Sequence, residues 1–207
     1  MSSNARVARP QARQTQPVAH PWVISAVEAL RARGQTIGFA ESCTGGLLSA
    51  IFARMPGVSS VFIGSVVAYS YETKSRLLGV PTSLLRVHGA VSVPVAQRMA
   101  SGARDALGCD WSISVTGVAG PGGGSDEKPV GSVCFAIVGP GFERVARRRF
   151  PGGRREVQMA SARFALHMRL AGLGVDKGEP LGEPSRARRP ALTDKPRKKK
   201  AKGKKKR

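Results

Sequence analysis

Thr36-Ile37-Gly38-Phe39-Ala40-Glu41-Ser42-Cys43-Thr44-Gly45-Gly46-Leu47-Leu48-Ser49-Ala50-Ile51-Phe52 holds three kinds of local structure in one short run. Thr36 to Ala40 suits a brief apolar strand. The small residues after it permit a tight turn. Leu47, Leu48, Ile51 and Phe52 then recur at helical spacing, and Pro56-Gly57 ends the helix they define. A strand passing into a helix through a glycine turn belongs to layered α/β folds.

The flanking sequence repeats the pattern. Upstream, periodicity begins at Trp22, with Val23, Ile24, Val27 and Leu30 on one helical face and Gly34 as the stop. Downstream, Val61 to Ser70 is rich in β-branched and aromatic residues and reads as a strand, followed by a helical turn over Tyr71 to Leu78. Pro94 to Leu107 reads as a helix capped by Ser92 and closed by Gly108. Trp111 to Val115 is a strand, Ser132 to Val138 and Arg144 to Phe150 form a strand pair, and a last helix covers about 154 to 170 with Val157, Phe164 and Leu166 inward. The expected fold is α/β: a single three-layer domain with a mixed β-sheet flanked by helices. Its bounds are 21 to 175, within ordinary domain size. Residues 1–20 and 176–207 are expected to be disordered tails, because they carry too few apolar groups to offset the entropy of ordering.

The formal net charge of +21 suggests a nucleic-acid partner until its position is considered. Residues 181–207 hold 13 Lys and Arg against Glu183 and Asp194, a net +11. The first twenty residues add Arg6, Arg9 and Arg13 without an acid, which leaves +7 for residues 21–180. The excess therefore sits in the tails. The run KPRKKKAKGKKKR can neutralise several phosphates, but no aromatics interleave it for base stacking, so any nucleic-acid binding through it is non-specific. The plainer alternative is a solvated tail.

Cys43, Cys109 and Cys134 are widely separated, and with His20, His88 and His167 they show no metal-ligand spacing. Reduced thiols are expected, with no metal and no cofactor. No apolar run reaches membrane-spanning length, and Ser2 to His20 lacks an apolar signal core, so a cytoplasmic location is expected.

Two segments can carry chemistry. At the strand-to-helix corner, a helix N-terminus presents unpaired N–H groups that can hold a phosphate or an oxyanion. Ser42 at that corner can act as a nucleophile if a base takes its proton, or can simply cap the helix. His88, in Val87-His88-Gly89 at a helix end, fits capping or packing better than base catalysis. Lys74 follows Tyr69-Ser70-Tyr71 at the close of a buried-looking strand; burial there makes it a neutral general base, exposure an ordinary helix lysine. The second segment, Ser114 to Gly131, follows a strand with many glycines that allow close backbone approach to a ligand. It fits neither the Walker A spacing nor the dinucleotide fingerprint, and a plain flexible loop is its alternative.

Taken in order, AESCTGG, AYSYETK, HGAVS and SVTGVAGPGGGSDEKPVG closely resemble the C-terminal domain of the competence-damage-inducible protein CinA, a domain that also occurs alone as nicotinamide-nucleotide amidohydrolase. The likeness runs from about Val23 to Leu170. It implies hydrolysis of the carboxamide of nicotinamide mononucleotide to nicotinate mononucleotide and ammonia, with no metal. By motif position Ser42 corresponds to the nucleophile and Lys74 to the base, with Tyr69 lining the catalytic site. Glu41, Cys43, Thr44, Gly45, Thr116 and Gly117 would surround the substrate, and Arg154 would meet its phosphate. Cys43 is an alternative nucleophile, although its side chain should point away from that of Ser42. Two positions depart from the pattern: Gly153 stands where an acid often precedes the arginine, and Gln158 replaces a second arginine, with Arg155 a substitute. A homo-oligomer is the expected assembly. The rival classes are a nucleic-acid-binding accessory protein and a catalytically silent nucleotide binder.

Overall fold

The computed structural model describes residues 21–172, so the two expected tails lie outside the described residues. Six α-helices and five strands follow in the order α1 (Pro21–Ala32), β1 (Ile37–Glu41), α2 (Leu47–Ala53), β2 (Phe62–Val67), α3 (Tyr71–Leu78), α4 (Thr82–His88), α5 (Val93–Leu107), β3 (Trp111–Gly117), β4 (Ser132–Gly139), β5 (Phe142–Arg149) and α6 (Arg154–Gly172). The sheet order is β2-β1-β3-β4-β5. β1 is parallel to both β2 and β3, whereas β3, β4 and β5 run antiparallel, so the sheet is mixed as the sequence predicts.

The two faces of the sheet differ in side-chain size. Phe39, Ile113, Val115, Phe135 and Ile137 point to one side, into a core shared with Val27 and Leu30 of α1, Leu48 and Phe52 of α2, and Val157 and Leu166 of α6. Their neighbours along the same strands, Ala40, Ser112, Ser114, Cys134 and Ala136, are small and fully buried on the other side. There α5 lies against the sheet, with α3 and α4 outside it. The serines are satisfied by α5 itself: Ser114 Oγ donates to Ala96 O at 2.6 Å, and Ser112 Oγ donates to Ala100 O. A buried hydroxyl without such an acceptor would cost about 1–3 kcal/mol. Burial therefore alternates in kind with the strand period of two, and the three layers follow.

Differences from the sequence reading are local. Glu41 and Gly117 extend β1 and β3 beyond their expected ends. β2 stops at Val67 because Ser70 turns the chain into α3, which is a full helix rather than a single turn. Thr82–His88 is a helix that the sequence reading met only at His88. Ser92 occupies the N-cap of α5, yet its hydroxyl donates to Gly89 O at 2.9 Å instead of accepting a helix N–H. Gly108 closes α5 in the left-handed conformation, as expected.

Gly102 marks the closest approach of α5 to its neighbours, since a Cβ there would stand 1.9 Å from the backbone oxygen of Leu78. Alanine in a helix interior is normally better than glycine by about 1 kcal/mol. Here the overlap with backbone outweighs that gain. Gly102→Ala is expected to destabilise the domain by about 1–3 kcal/mol, read as a lower urea midpoint at unchanged slope.

Candidate active site

The carboxyl ends of the three parallel strands converge, the usual position for a site in an open α/β sheet. The Ala68 N–H donates to Glu41 O at 2.8 Å, and the Ser42 N–H donates to Val115 O at 2.9 Å. Ala68 and Ser42 therefore leave the sheet side by side, next to Thr116 near the end of β3.

Lys74 is delivered to this edge by the first turn of α3. Ser70 fixes that turn with a reciprocal cap: its hydroxyl accepts the Thr73 N–H at 3.1 Å, while its own N–H donates to Thr73 Oγ1 at 3.1 Å. The lysine is fully buried. Its Nζ lies 2.9 Å from Ser42 Oγ, 2.9 Å from Ala68 O and 3.0 Å from Tyr69 O. Burial lowers its pKa from 10.5 to about 8. When protonated, the amine donates to all three oxygens. When neutral, it keeps its two N–H bonds to the carbonyls, and its lone pair is left facing the Ser42 hydroxyl. This arrangement can draw a proton from Ser42. The solvated-lysine alternative is thus ruled out by its burial.

The helix-corner expectation needs correction. Ser42 does not cap α2; the N-cap position belongs to Gly46 and carries no side-chain cap. Glu41 does that work from the strand. Its fully buried carboxylate accepts from the N–H groups of Gly46 (3.0 Å), Leu48 (3.1 Å) and Ser49 (2.9 Å), and from the Ser49 hydroxyl. A carboxylate at a helix N-terminus is favoured by both dipole and hydrogen bonds. The end of α2 is therefore already filled by an anion of the protein, and Glu41 is turned toward α2 through these bonds. The Ser42 N–H is committed to β3 as well. Of the turn's expected donors, the Thr44 N–H has no partner among the described residues, and the Cys43 N–H meets only its own side-chain sulfur.

The remaining candidates divide. Cys43 is buried in the core of the α1, α2 and α6 face, and desolvation pushes its thiol up to about 12, so it stays protonated and unreactive near neutral pH. Thr44 is buried, and its hydroxyl has no hydrogen-bond partner among the described residues. Gly45 is exposed at φ 60°, a conformation the turn requires and a side chain resists. Thr116 is buried beside Ser42, but its hydroxyl donates to Ala90 O at 2.9 Å and ties β3 to the HGAVS segment. Gly117 is pressed on β4, where a Cβ would meet Ser132 O at 2.7 Å. Tyr69 is 60% exposed, and its hydroxyl receives Arg154 Nη1 at 3.3 Å, placing this pair at the rim. Lys128 reaches from the glycine loop to the carbonyl of His88 at 2.6 Å. The Ser42 hydroxyl is partnered by Lys74 and not by the histidine.

The two departures from the motif have different surroundings. Glu156 Oε2 lies 3.2 Å from where a Cβ on Gly153 would stand, so a carboxylate of α6 sits beside that position. Gln158 Nε2 donates to Cys43 O at 2.8 Å. That contact was missed in the sequence; the helical spacing of Arg154 and Gln158, which puts both on one face of α6, was its only signal. The Ala68 and Tyr69 carbonyls were also missed, since a backbone acceptor leaves no mark in the residue type. Among the described residues, no three His, Cys, Asp or Glu side chains converge as metal ligands, and no helix is long and apolar enough to cross a membrane.

If Glu41 serves α2, Glu41→Gln should act on stability. An amide nitrogen would then oppose helix N–H donors, and a loss of about 1–3 kcal/mol in urea unfolding is expected, with KM for any substrate within about twofold of the parent.

Comparison with known proteins agrees with this architecture. The model of the CinA C-terminal domain matches residues 21–172. A CinA-like protein of Parasynechococcus marenigrum (strain WH8102) is 51% identical over 146 residues, covering 68% of this chain and 35% of its own length. One from Mycolicibacterium paratuberculosis (strain ATCC BAA-968 / K-10) is 48% identical over 152 residues, with 70% and 35% covered. The chain thus spans about a third of the length of these relatives. Among solved structures, a competence-damaged protein (CinA) superfamily protein from Klebsiella pneumoniae 700603 superposes with a TM-score of 0.72 at 35% identity, covering 76% of this chain and 99% of that one. Another from Escherichia coli gives 0.71 at 32% identity, with 79% and 94% covered. With the model spanning the whole described domain, the chain belongs to the CinA C-terminal domain family.

Proposed function

We propose that the chain is a metal-independent amidohydrolase acting on the carboxamide of nicotinamide mononucleotide in the cytoplasm. The observation that carries this reading is the 2.9 Å approach of a buried lysine amine to Ser42 Oγ, with two backbone carbonyls holding the amine in place. A serine hydroxyl attacks an amide only when its proton is taken, and an amine titrating near 8 is neutral often enough to take it. The substrate assignment rests on the family resemblance. It is supported by Arg154 and Tyr69 at the rim, where a guanidinium suits a phosphate.

In the first half-reaction neutral Lys74 accepts the Ser42 proton as Oγ bonds to the carboxamide carbon. The oxygen that gains charge is met by the N–H groups of Cys43 and Thr44; a donor on the residue after the nucleophile is a recurring oxyanion partner. Lys74 returns its proton to the departing nitrogen, and ammonia leaves. In the second half a water gives its proton to Lys74 and attacks the ester carbon. Ser42 leaves with that proton restored, and the nicotinate product is released.

Ammonia release from nicotinamide mononucleotide tests this directly. Ser42→Ala is expected to abolish it, whereas Cys43→Ala keeps the parent rate to within a few fold; a Ser42→Ala enzyme as fast as the parent would sink the mechanism. The pH profile supplies an independent reading. Lys74 works as the neutral amine, so kcat/KM should climb about tenfold per pH unit below 8 and level off above it. A rate falling between pH 6 and 8 would have the wrong sign.

A further inference from the structure

Gln158 stands where the family pattern leads one to expect an arginine, and its contact is with the protein. Its Nε2 donates to Cys43 O at 2.8 Å. An uncharged amide committed to a backbone carbonyl is a poor replacement for a phosphate-binding guanidinium. It is well placed to fix the plane of the peptide joining Cys43 to Thr44.

In a trans peptide the C=O and N–H point in opposite directions. With the Cys43 carbonyl drawn toward α6, the Thr44 N–H is turned away from α6. Lys74 comes from α3, which packs on the other side of the sheet from α6. Every other donor of the turn is taken: Ser42 by Val115 O, Gly45 by Ser42 O, and Gly46 by Glu41. The Cys43 N–H meets only its own side-chain sulfur, the Thr44 N–H has no partner among the described residues, and Thr44, its hydroxyl unpaired among the same residues, is only 3% exposed. Buried donors left unpaired cost free energy, and donors fixed before charge develops are what stabilise an oxyanion.

We propose that Gln158 is a positioning residue for hydrolysis: by holding the Cys43 carbonyl it aims the Thr44 N–H at the oxygen that becomes negative when Ser42 attacks. The assignment rests on the amidohydrolase reading above, and it makes this position a determinant of rate rather than of phosphate affinity.

Three variants and two readouts test it. Gln158→Leu and Gln158→Glu remove the donor; Gln158→Arg keeps one. Kinetics are measured on nicotinamide mononucleotide and on nicotinamide riboside, which lacks the phosphate, with thermal midpoints as the folding control. In parallel, the rate at which a fluorophosphonate labels Ser42 is followed by mass spectrometry, since that reaction needs the same oxyanion donors but no nucleotide. The Leu and Glu variants are expected to lose roughly tenfold or more in kcat with KM within about twofold. The factor should be the same on both substrates, labelling should slow in step, and Gln158→Arg should recover most of the rate. A rise in KM for the mononucleotide alone, with the riboside unaffected, would make Gln158 a phosphate contact and overturn the proposal. Unchanged labelling in Gln158→Leu would overturn it too. If the parent is labelled but releases no ammonia, the substrate assignment fails while the labelling series still decides the role of Gln158. A parent that is never labelled at Ser42 removes both.

Discussion

An amine fully shut away from water has to find acceptors or give up its proton, and at Lys74 both happen. The Ala68 and Tyr69 carbonyls and the Ser42 hydroxyl surround Nζ within 3.0 Å. Desolvation still holds the amine's pKa near 8. Two of these three acceptors are backbone oxygens at the point where β2 leaves the sheet and α3 begins. Their positions are set by the capped first turn of α3 and by the register of β2 against β1. The lysine can stay buried only while that junction is intact, so the Ser42–Lys74 geometry and local folding depend on the same hydrogen bonds.

The same edge shows how the protein keeps charge apart. A helix N-terminus beside a nucleophile would ordinarily be the place for an anionic ligand. Here Glu41 fills it from within, satisfying three N–H groups at the start of α2. An uncommitted positive charge stands instead at the rim, where Arg154 begins α6 and leans on Tyr69. The turn between Glu41 and α2 retains the Thr44 N–H as an unspent donor among the described residues, with the Cys43 N–H held by no more than its own sulfur. The turn is braced on one side by β3 and on the other by α6.

The unequal faces of the sheet make this arrangement possible. Small residues on the α5 side let that helix lie close, and Gly102 lets α3 approach the same helix. Thr116, Ser114 and Ser112 lean on backbone carbonyls of the α5 side, so polar groups in the middle of the fold are consumed in packing. The large aromatic side chains, Phe39, Phe52, Phe62 and Phe135 among them, collect on the α1, α2 and α6 side and supply most of the apolar bulk.

The sequence by itself determined the layered fold, because strand and helix periods and glycine stops are written locally: β1, α2, α5, the β4–β5 pair and α6 fall within a few residues of where the pattern puts them. It also singled out Ser42 and Lys74 through the order of four motifs. Only the tertiary structure decided what each neighbouring residue does. Glu41 turns to α2, Thr116 ties β3 to Ala90, Gly117 packs on β4, and Gln158 grips the backbone at Cys43. These assignments depend on which donors and acceptors remain unpaired once distant segments meet. A backbone carbonyl or N–H carries no residue name, so its commitments become visible only when the chain has closed around it.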